Sequence, residues 1–145
     1  MTERRSRPVV LMLAAGHARR FGSDKRITLL CQSETLLQRS VRSALDAELD
    51  VIVCLSTRRA DDDIARSMSP VPVRVLRCTR AEEGMGGTLA EGISACIGYP
   101  GAFVALGDMP FVNSRTYRHL ALQHAPGRIV IPEYRRRRGH PVLFD

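Results

Sequence analysis

A chain of 145 residues, 44% hydrophobic and 26% charged, is long enough to bury one core, which excludes global disorder and a pair of full-sized domains. The formal net charge of +7 favours an anionic partner without choosing among nucleic acid, a phosphorylated metabolite and simple solubility. The four cysteines form no CxxC pair and have no histidine at metal-ligand spacing, which argues against zinc and dithiol chemistry. Cys54 and Cys96 sit in apolar runs and read as small core residues of a reducing, cytoplasmic compartment.

PVVLML (8–13) is β-branched and aliphatic without alternation, the pattern of a strand covered on both faces. A basic start before an apolar run is also the outline of a secretory signal, but the run is short and Arg19 and Arg20 follow at once. No segment reaches the length of a membrane span. The loop AAGHARRFG comes next, and beyond it stands Lys25, the single lysine among 22 basic residues. Ser33 is placed to cap a helix to about Glu48, with Leu37, Val41, Ala44 and Leu45 at helical spacing and Arg39 and Arg42 facing out.

DVIVCL (50–55) reads as a second buried strand, and the charges of RRADDDIARSM as the wet face of a short helix or loop. VPVRVLR (71–77) is a third strand, with Pro72 marking a start or an edge. EEGMGGTLAEGISACIG opens a helix from a glycine loop, with Leu89, Ile93, Cys96 and Ile97 on one face. AFVALGD (102–108) is a fourth strand ending in a Gly-Asp step. NSRTYRHLALQHA is a helix capped by Asn113 or Ser114 and closed by Pro126 and Gly127, with His119 and His124 on its surface. RIVIPEY (128–134) and HPVLF (140–144) are the fifth and sixth strands. Strands alternating with helices predict one α/β domain over 1–145, three layers deep, with a mostly parallel central sheet. The loops after strands one, three and four then share one crevice at the carboxyl ends of the strands.

Those loops carry the unusual chemistry. Small residues after the first strand let main-chain N–H groups approach a phosphate, with Arg19, Arg20 and Lys25 adding charge. Neither GxGxxG nor GxxxxGK[ST] is present, so this is not the dinucleotide or Walker fingerprint. Asp108, in LGDMP, can hold Mg²⁺ through one oxygen while waters and substrate phosphates complete the octahedron; a turn or helix-capping aspartate is the alternative. EEGMGG permits close backbone contact with a flat base or sugar, or is simply a flexible turn. The arginines of EYRRRRGHPV can project toward a second anionic ligand or form a solvated turn, and His140, held extended before Pro141, is a ligand contact or a loop constraint. The few scattered aromatics and the lack of any RNA- or DNA-binding motif argue against a nucleic-acid partner.

LAAGHARRFGSDK, EEGMGGTLAEGI, LGDMP and RRRRGHPVLF together resemble, in order and spacing, the MobA-like nucleotidyltransferases, and among them the molybdenum cofactor cytidylyltransferases. The resemblance runs from about residue 8 to residue 145. It implies a Rossmann-like nucleotidyltransferase fold and Mg²⁺-dependent transfer of a nucleoside monophosphate from an NTP to the phosphate of molybdopterin, with release of pyrophosphate. Carried onto matching positions, Leu13, Ala14, Ala15 and Gly16 line the nucleotide site. Arg20 and Lys25 bind the triphosphate and act in catalysis, and Asp108 holds the metal. Gly84, Met85, Gly86 and Gly87 border the nucleotide or pterin, and Arg138, Gly139, His140 and Pro141 face the acceptor. Ala14-Ala15-Gly16 and GHPVLF fit cytidylyl members, where guanylyl members read AGG, so CTP is favoured over GTP, although Leu13 stands where cytidylyl members often have Thr. A molybdoenzyme or its chaperone is an implied protein partner, and no membrane partner is implied. Family members usually continue past GHPVLF with a further Gly-Asp motif that helps complete the site. A chain ending at Asp145 is therefore expected to be a fragment, a truncated product or a member that completes its site by dimerising. The competing expectations are a module that binds nucleotide or molybdopterin without turnover, a transferase acting on another phosphorylated small molecule, and a basic nucleic-acid-binding protein.

Overall fold

The computed structural model describes residues 5–16, 24–31 and 33–145. In chain order the elements are β1 (Val9–Leu13), a 3-10 turn (Lys25–Ile27), β2 (Leu29–Cys31), β3 (Glu34–Thr35), α1 (Leu36–Asp46), β4 (Asp50–Ser56), and a 3-10 turn (Arg59–Asp61) running into α2 (Asp62–Ser67). Next come β5 (Arg74–Cys78), a 3-10 turn (Thr79–Glu83), α3 (Met85–Ser94), β6 (Ala102–Leu106), α4 (Ser114–Leu122), β7 (Glu133–Tyr134), β8 (Arg137–Arg138) and β9 (Val142–Phe144).

The main sheet has five strands in the order β5-β4-β1-β6-β9, parallel except for β9, which runs antiparallel to β6. β1 lies at its centre, and every residue of VVLML is buried, as a strand covered on both faces requires. Its side chains alternate between two apolar layers. Val10 and Met12 join Leu37, Val41, Phe103 and Tyr117 under α1, α2 and α4, while Val9, Leu11 and Leu13 join Cys54, Cys78 and Cys96 on the α3 side. Phe103 and Tyr117 meet edge to face at 5.4 Å, and burial pushes the Tyr117 hydroxyl well above its ordinary pKa. Each such fully buried side chain contributes roughly 1.5–3 kcal/mol. The three-layer α/β expectation is therefore met, with β5 on the edge as Pro72 suggested.

Four local expectations are corrected. Thr35, not Ser33, caps α1: Glu34 and Thr35 pair back on β2, so the helix begins later, and a reciprocal bond pair between Thr35 and Gln38 closes its first turn. RIVIPEY does not join the main sheet as a strand. Val130 alone bridges to Leu143, and at Pro132, which has no N–H to donate, the chain leaves the edge and forms the β7–β8 hairpin, Gly139 N–H donating to the Pro132 carbonyl (3.0 Å). Arg135 and Arg136 turn that hairpin at φ +49° and +63°. Ile93 and Ile97 are exposed, so the buried stripe of α3 runs through Gly87, Thr88 and Gly92 instead. His124 lies beyond α4 and is half-buried, its Nε2 3.3 Å from the Asp145 carboxylate.

Candidate active site

Past β1 the chain remains stitched to its neighbours. Ala14 N–H donates to the Cys54 carbonyl of β4 (3.0 Å), and Gly107 N–H, past the end of β6, donates to the Leu13 carbonyl (3.0 Å). Ser40 of α1 donates its hydroxyl to the Gly107 carbonyl (3.1 Å). These bonds seat the Gly-Asp step beside the small-residue loop. Asp108 thus shares one cavity of about 440 Å³ with Leu13, Ala14, Ala15, Gly16 and Lys25, joined from the α3 side by Gly84 and Met85.

Other expected site residues fall elsewhere. Gly86 and Gly87 are not in the cavity wall. A Cβ on Gly87 would come within 2.1 Å of the Arg80 carbonyl oxygen, so this glycine allows α3 to close on the preceding 3-10 turn. Gly84, at φ +94°, makes the reversal between the two. Arg138, Gly139, His140 and Pro141 lie on the hairpin and the approach to β9, outside the wall, with a cis bond between His140 and Pro141. Arg20 lies outside the described residues, as do His17 and Arg19.

Arg26, next to Lys25, was given no role by the sequence and is the best-connected side chain of the site. Its side chain is only 6% exposed. Nη1 donates to the Ala14 carbonyl (2.6 Å), Nε and Nη2 grip Asp24 (2.9 and 2.5 Å), and Nη2 also reaches Asp61 (2.8 Å). Asp61 is fully buried, and its second oxygen accepts from both the backbone N–H and the hydroxyl of Ser56 (2.7 Å each). Burial opposes the charge on Arg26, but the bonds to Asp24 and Asp61 outweigh it and hold its pKa above the ordinary value. The same guanidinium holds Asp24 below its own. One buried ion-pair network therefore ties the β1 loop, the Lys25 turn and the end of β4 together. It corrects the reading of RRADDDIARSM as a wet face, since the first of those aspartates points inward.

The opposite wall was also missed. Arg58, Ala81 and Thr88 line it, from the segments that follow β4 and β5. The 3-10 turn bearing Ala81 is held by Glu91 of α3, whose carboxylate accepts from Thr79 N–H (3.0 Å), the Thr79 hydroxyl (2.8 Å) and Arg80 N–H (2.6 Å). Those bonds, the Thr79 hydroxyl first among them, keep Glu91 below its ordinary pKa.

The sequence pattern of the MobA-like NTP transferase domain matches residues 10–145. The chain belongs to this family. As a MobA-like NTP transferase it shares its fold with solved nucleotidyltransferases. Rv0371c of Mycobacterium tuberculosis H37Rv superposes with a TM-score of 0.83 at 24% identity, over 95% of this chain and 71% of that one. A nucleotidyl transferase from Methanothermobacter superposes at 0.77 and 22%, over 96% and 71%. The 4-diphosphocytidyl-2C-methyl-D-erythritol synthase of Anaerococcus prevotii does so at 0.64 and 18%, over 85% and 53%. No curated protein matches the MobA-like chain by sequence.

Rv0371c has also been crystallised with manganese. In this MobA-like domain Asp108 is the exposed carboxylate of the cavity, and no group of three or more metal-ligating side chains occurs among the described residues. A single carboxylate on the wall of a cavity of about 440 Å³ fits a hard divalent cation that keeps its waters and takes its remaining ligands from substrate phosphates, and it does not fit an all-protein cage.

Proposed function

We propose that this nucleotidyltransferase moves CMP from CTP to the phosphate of molybdopterin. An oxygen of the acceptor phosphate attacks the α-phosphorus, the bond from that phosphorus to the bridging oxygen breaks, and pyrophosphate leaves. The observation that carries this reading is the meeting, in one cavity at the carboxyl ends of β1 and β6, of the small-residue loop Ala14–Gly16, Lys25 and Asp108. Backbone N–H groups past β1 approach the phosphates closely. Lys25 supplies a compact positive charge where charge builds up on the departing pyrophosphate, and Arg26 holds the turn that presents it. Asp108 would hold Mg²⁺, which when bound neutralises phosphate charge. No covalent enzyme intermediate is required: the protein contributes geometry and charge. Arg20 is proposed as a second triphosphate ligand. Arg138, Gly139, His140 and Pro141 are proposed on the acceptor side, beyond the cavity on the β9 edge. Molybdopterin as acceptor and a molybdoenzyme or its chaperone as recipient rest on the motif resemblance.

The test is a panel of CTP, GTP, UTP and ATP with Mg²⁺, each with molybdopterin or with a sugar phosphate as acceptor, read by pyrophosphate release and, for nucleotide binding, by calorimetry. Release with CTP above GTP supports the assignment. Release only with another phosphorylated acceptor would replace molybdopterin, and no release with any pair, despite nucleotide binding, would replace transfer with binding alone.

A further inference from the structure

We propose that Arg58 reads the base of the bound nucleotide. The inference rests on the nucleotidyltransferase reading and extends it to the choice of base.

Sheet order lays out the cavity. Across β6, β1, β4 and β5 stand in turn Asp108, the Ala14–Gly16 loop, Arg58, and then Ala81 with Thr88. A triphosphate and its cation belong at the first two positions, where the carboxylate, Lys25 and the loop backbone converge. The nucleoside then extends over β4 and β5. There Ala81 and Met85 offer apolar contact for a ring, and Arg58 and Thr88 are the polar groups beside it.

Arg58 is built to be held still. Its N–H donates to the Ser56 hydroxyl (3.3 Å) and its carbonyl accepts from Arg77 Nη2 (3.1 Å). Arg77 also donates to the Ser56 carbonyl (2.7 Å) and to Asp62 (2.7 Å). The Arg58 side chain is 32% exposed, and its Nε donates to Glu82 (3.1 Å), which fixes the plane of the guanidinium. The two Nη groups make no hydrogen bond among the described residues. A planar fork of donors matches two adjacent acceptors: O2 and N3 of cytosine, or O6 and N7 of guanine. Uracil presents N3–H, and adenine its N6 amino group, where the second acceptor is needed. A site that hydrogen-bonds one base in this way rejects an analogue that leaves its donors unpaired.

Equilibrium binding of CTP, UTP, GTP, ATP and inorganic tripolyphosphate, each with Mg²⁺, to the wild type, Arg58→Ala and Arg58→Lys tests this. The expected result is a wild-type preference for CTP over UTP of about tenfold or more. Both variants should lose that preference through weaker CTP binding, with tripolyphosphate affinity within about twofold of wild type, because the lysine keeps the charge but not the fork. A guanine-over-adenine preference lost in the same way also supports the fork while replacing CTP by GTP. Parallel weakening of every nucleotide and of tripolyphosphate would make Arg58 a phosphate ligand and overturn the proposal, as would base preference that survives in Arg58→Ala or is absent from the wild type. A wild type that binds neither nucleotide nor tripolyphosphate would overturn the nucleotidyltransferase reading itself, and this one with it.

Discussion

Replacing Asp61 by asparagine probes the buried network at its least exposed point. The carboxylate accepts bonds from Arg26 on one oxygen and two from Ser56 on the other, and it has no contact with solvent. The amide of Asp61→Asn has the same shape but only one acceptor oxygen. Whichever way it turns, its NH₂ faces a donor, either the Arg26 guanidinium or the Ser56 N–H and hydroxyl. Breaking one partner of a buried ion pair costs about 3–5 kcal/mol. Arg26 keeps Asp24 and the Ala14 carbonyl, which places the expected loss at about 3 kcal/mol. Against a total stability of about 5–15 kcal/mol for a domain, this is a large fraction. At roughly 2–4 °C per kcal/mol for a chain of this size, the melting temperature falls by about 6–12 °C. Urea unfolding followed by circular dichroism measures the loss directly, and the slope with denaturant stays constant if the effect lies in the native state. The double variant Arg26→Met with Asp61→Asn should fall short of the sum of the singles by on the order of 1–3 kcal/mol, because the second change removes a charge the first has stranded. A loss below about 1 kcal/mol for Asp61→Asn at constant slope, or strict additivity in the double variant, would refute the network as an energetic unit.

Four further outcomes rest on the same structure. Asp108→Ala and Lys25→Ala should each lower the rate of pyrophosphate release by on the order of two to four decades, with urea midpoints close to wild type because both side chains are exposed; wild-type turnover by both would remove their assigned roles. Native protein should react quickly with a thiol reagent at Cys31 alone, since Cys54, Cys78 and Cys96 are buried and burial pushes their thiols up in pKa, whereas all four should react after denaturation. The bonds from Arg26 hold Asp24 below its ordinary 3.8, so its contribution to stability is complete above the unfolded pKa and fades as pH falls through the lower folded value; acid unfolding of Asp24→Asn should lack that component, and an unchanged acid limb would count against it. Arg135→Asn with Arg136→Gly places residues that tolerate positive φ in the two-residue turn and should raise stability by about 1 kcal/mol, which differential scanning calorimetry would show as a higher melting temperature.

What was legible in the chain follows from what burial writes into local composition. β1, β4 and β6 are covered on both faces, so VVLML, VIVCL and AFVAL announce themselves as uninterrupted apolar runs, and in a parallel sheet their carboxyl ends mark one rim. The position of the Ala14–Gly16 loop and of Asp108 on that rim therefore follows from composition and order alone. RIVIPEY has the composition of a strand, yet only Val130 pairs with the main sheet, because Pro132 and the arginine turn take Glu133 and Tyr134 into their own hairpin; composition does not say which partner a strand-like segment finds. Asp61 is the harder case. In RRADDD it stands beside Asp62 and Asp63, and nothing local separates them, although Asp61 is fully buried and Asp63 exposed. What separates them is Arg26, thirty-five residues earlier. A buried charge is specified by its partner, and the partner here is supplied by the same turn that presents Lys25. The residue that holds the cavity together and the residue that would meet the phosphates are thus neighbours in sequence, so a change at Asp24 or Arg26 should reach stability and phosphate affinity together, whereas a change at Lys25 or Asp108 should leave stability close to wild type.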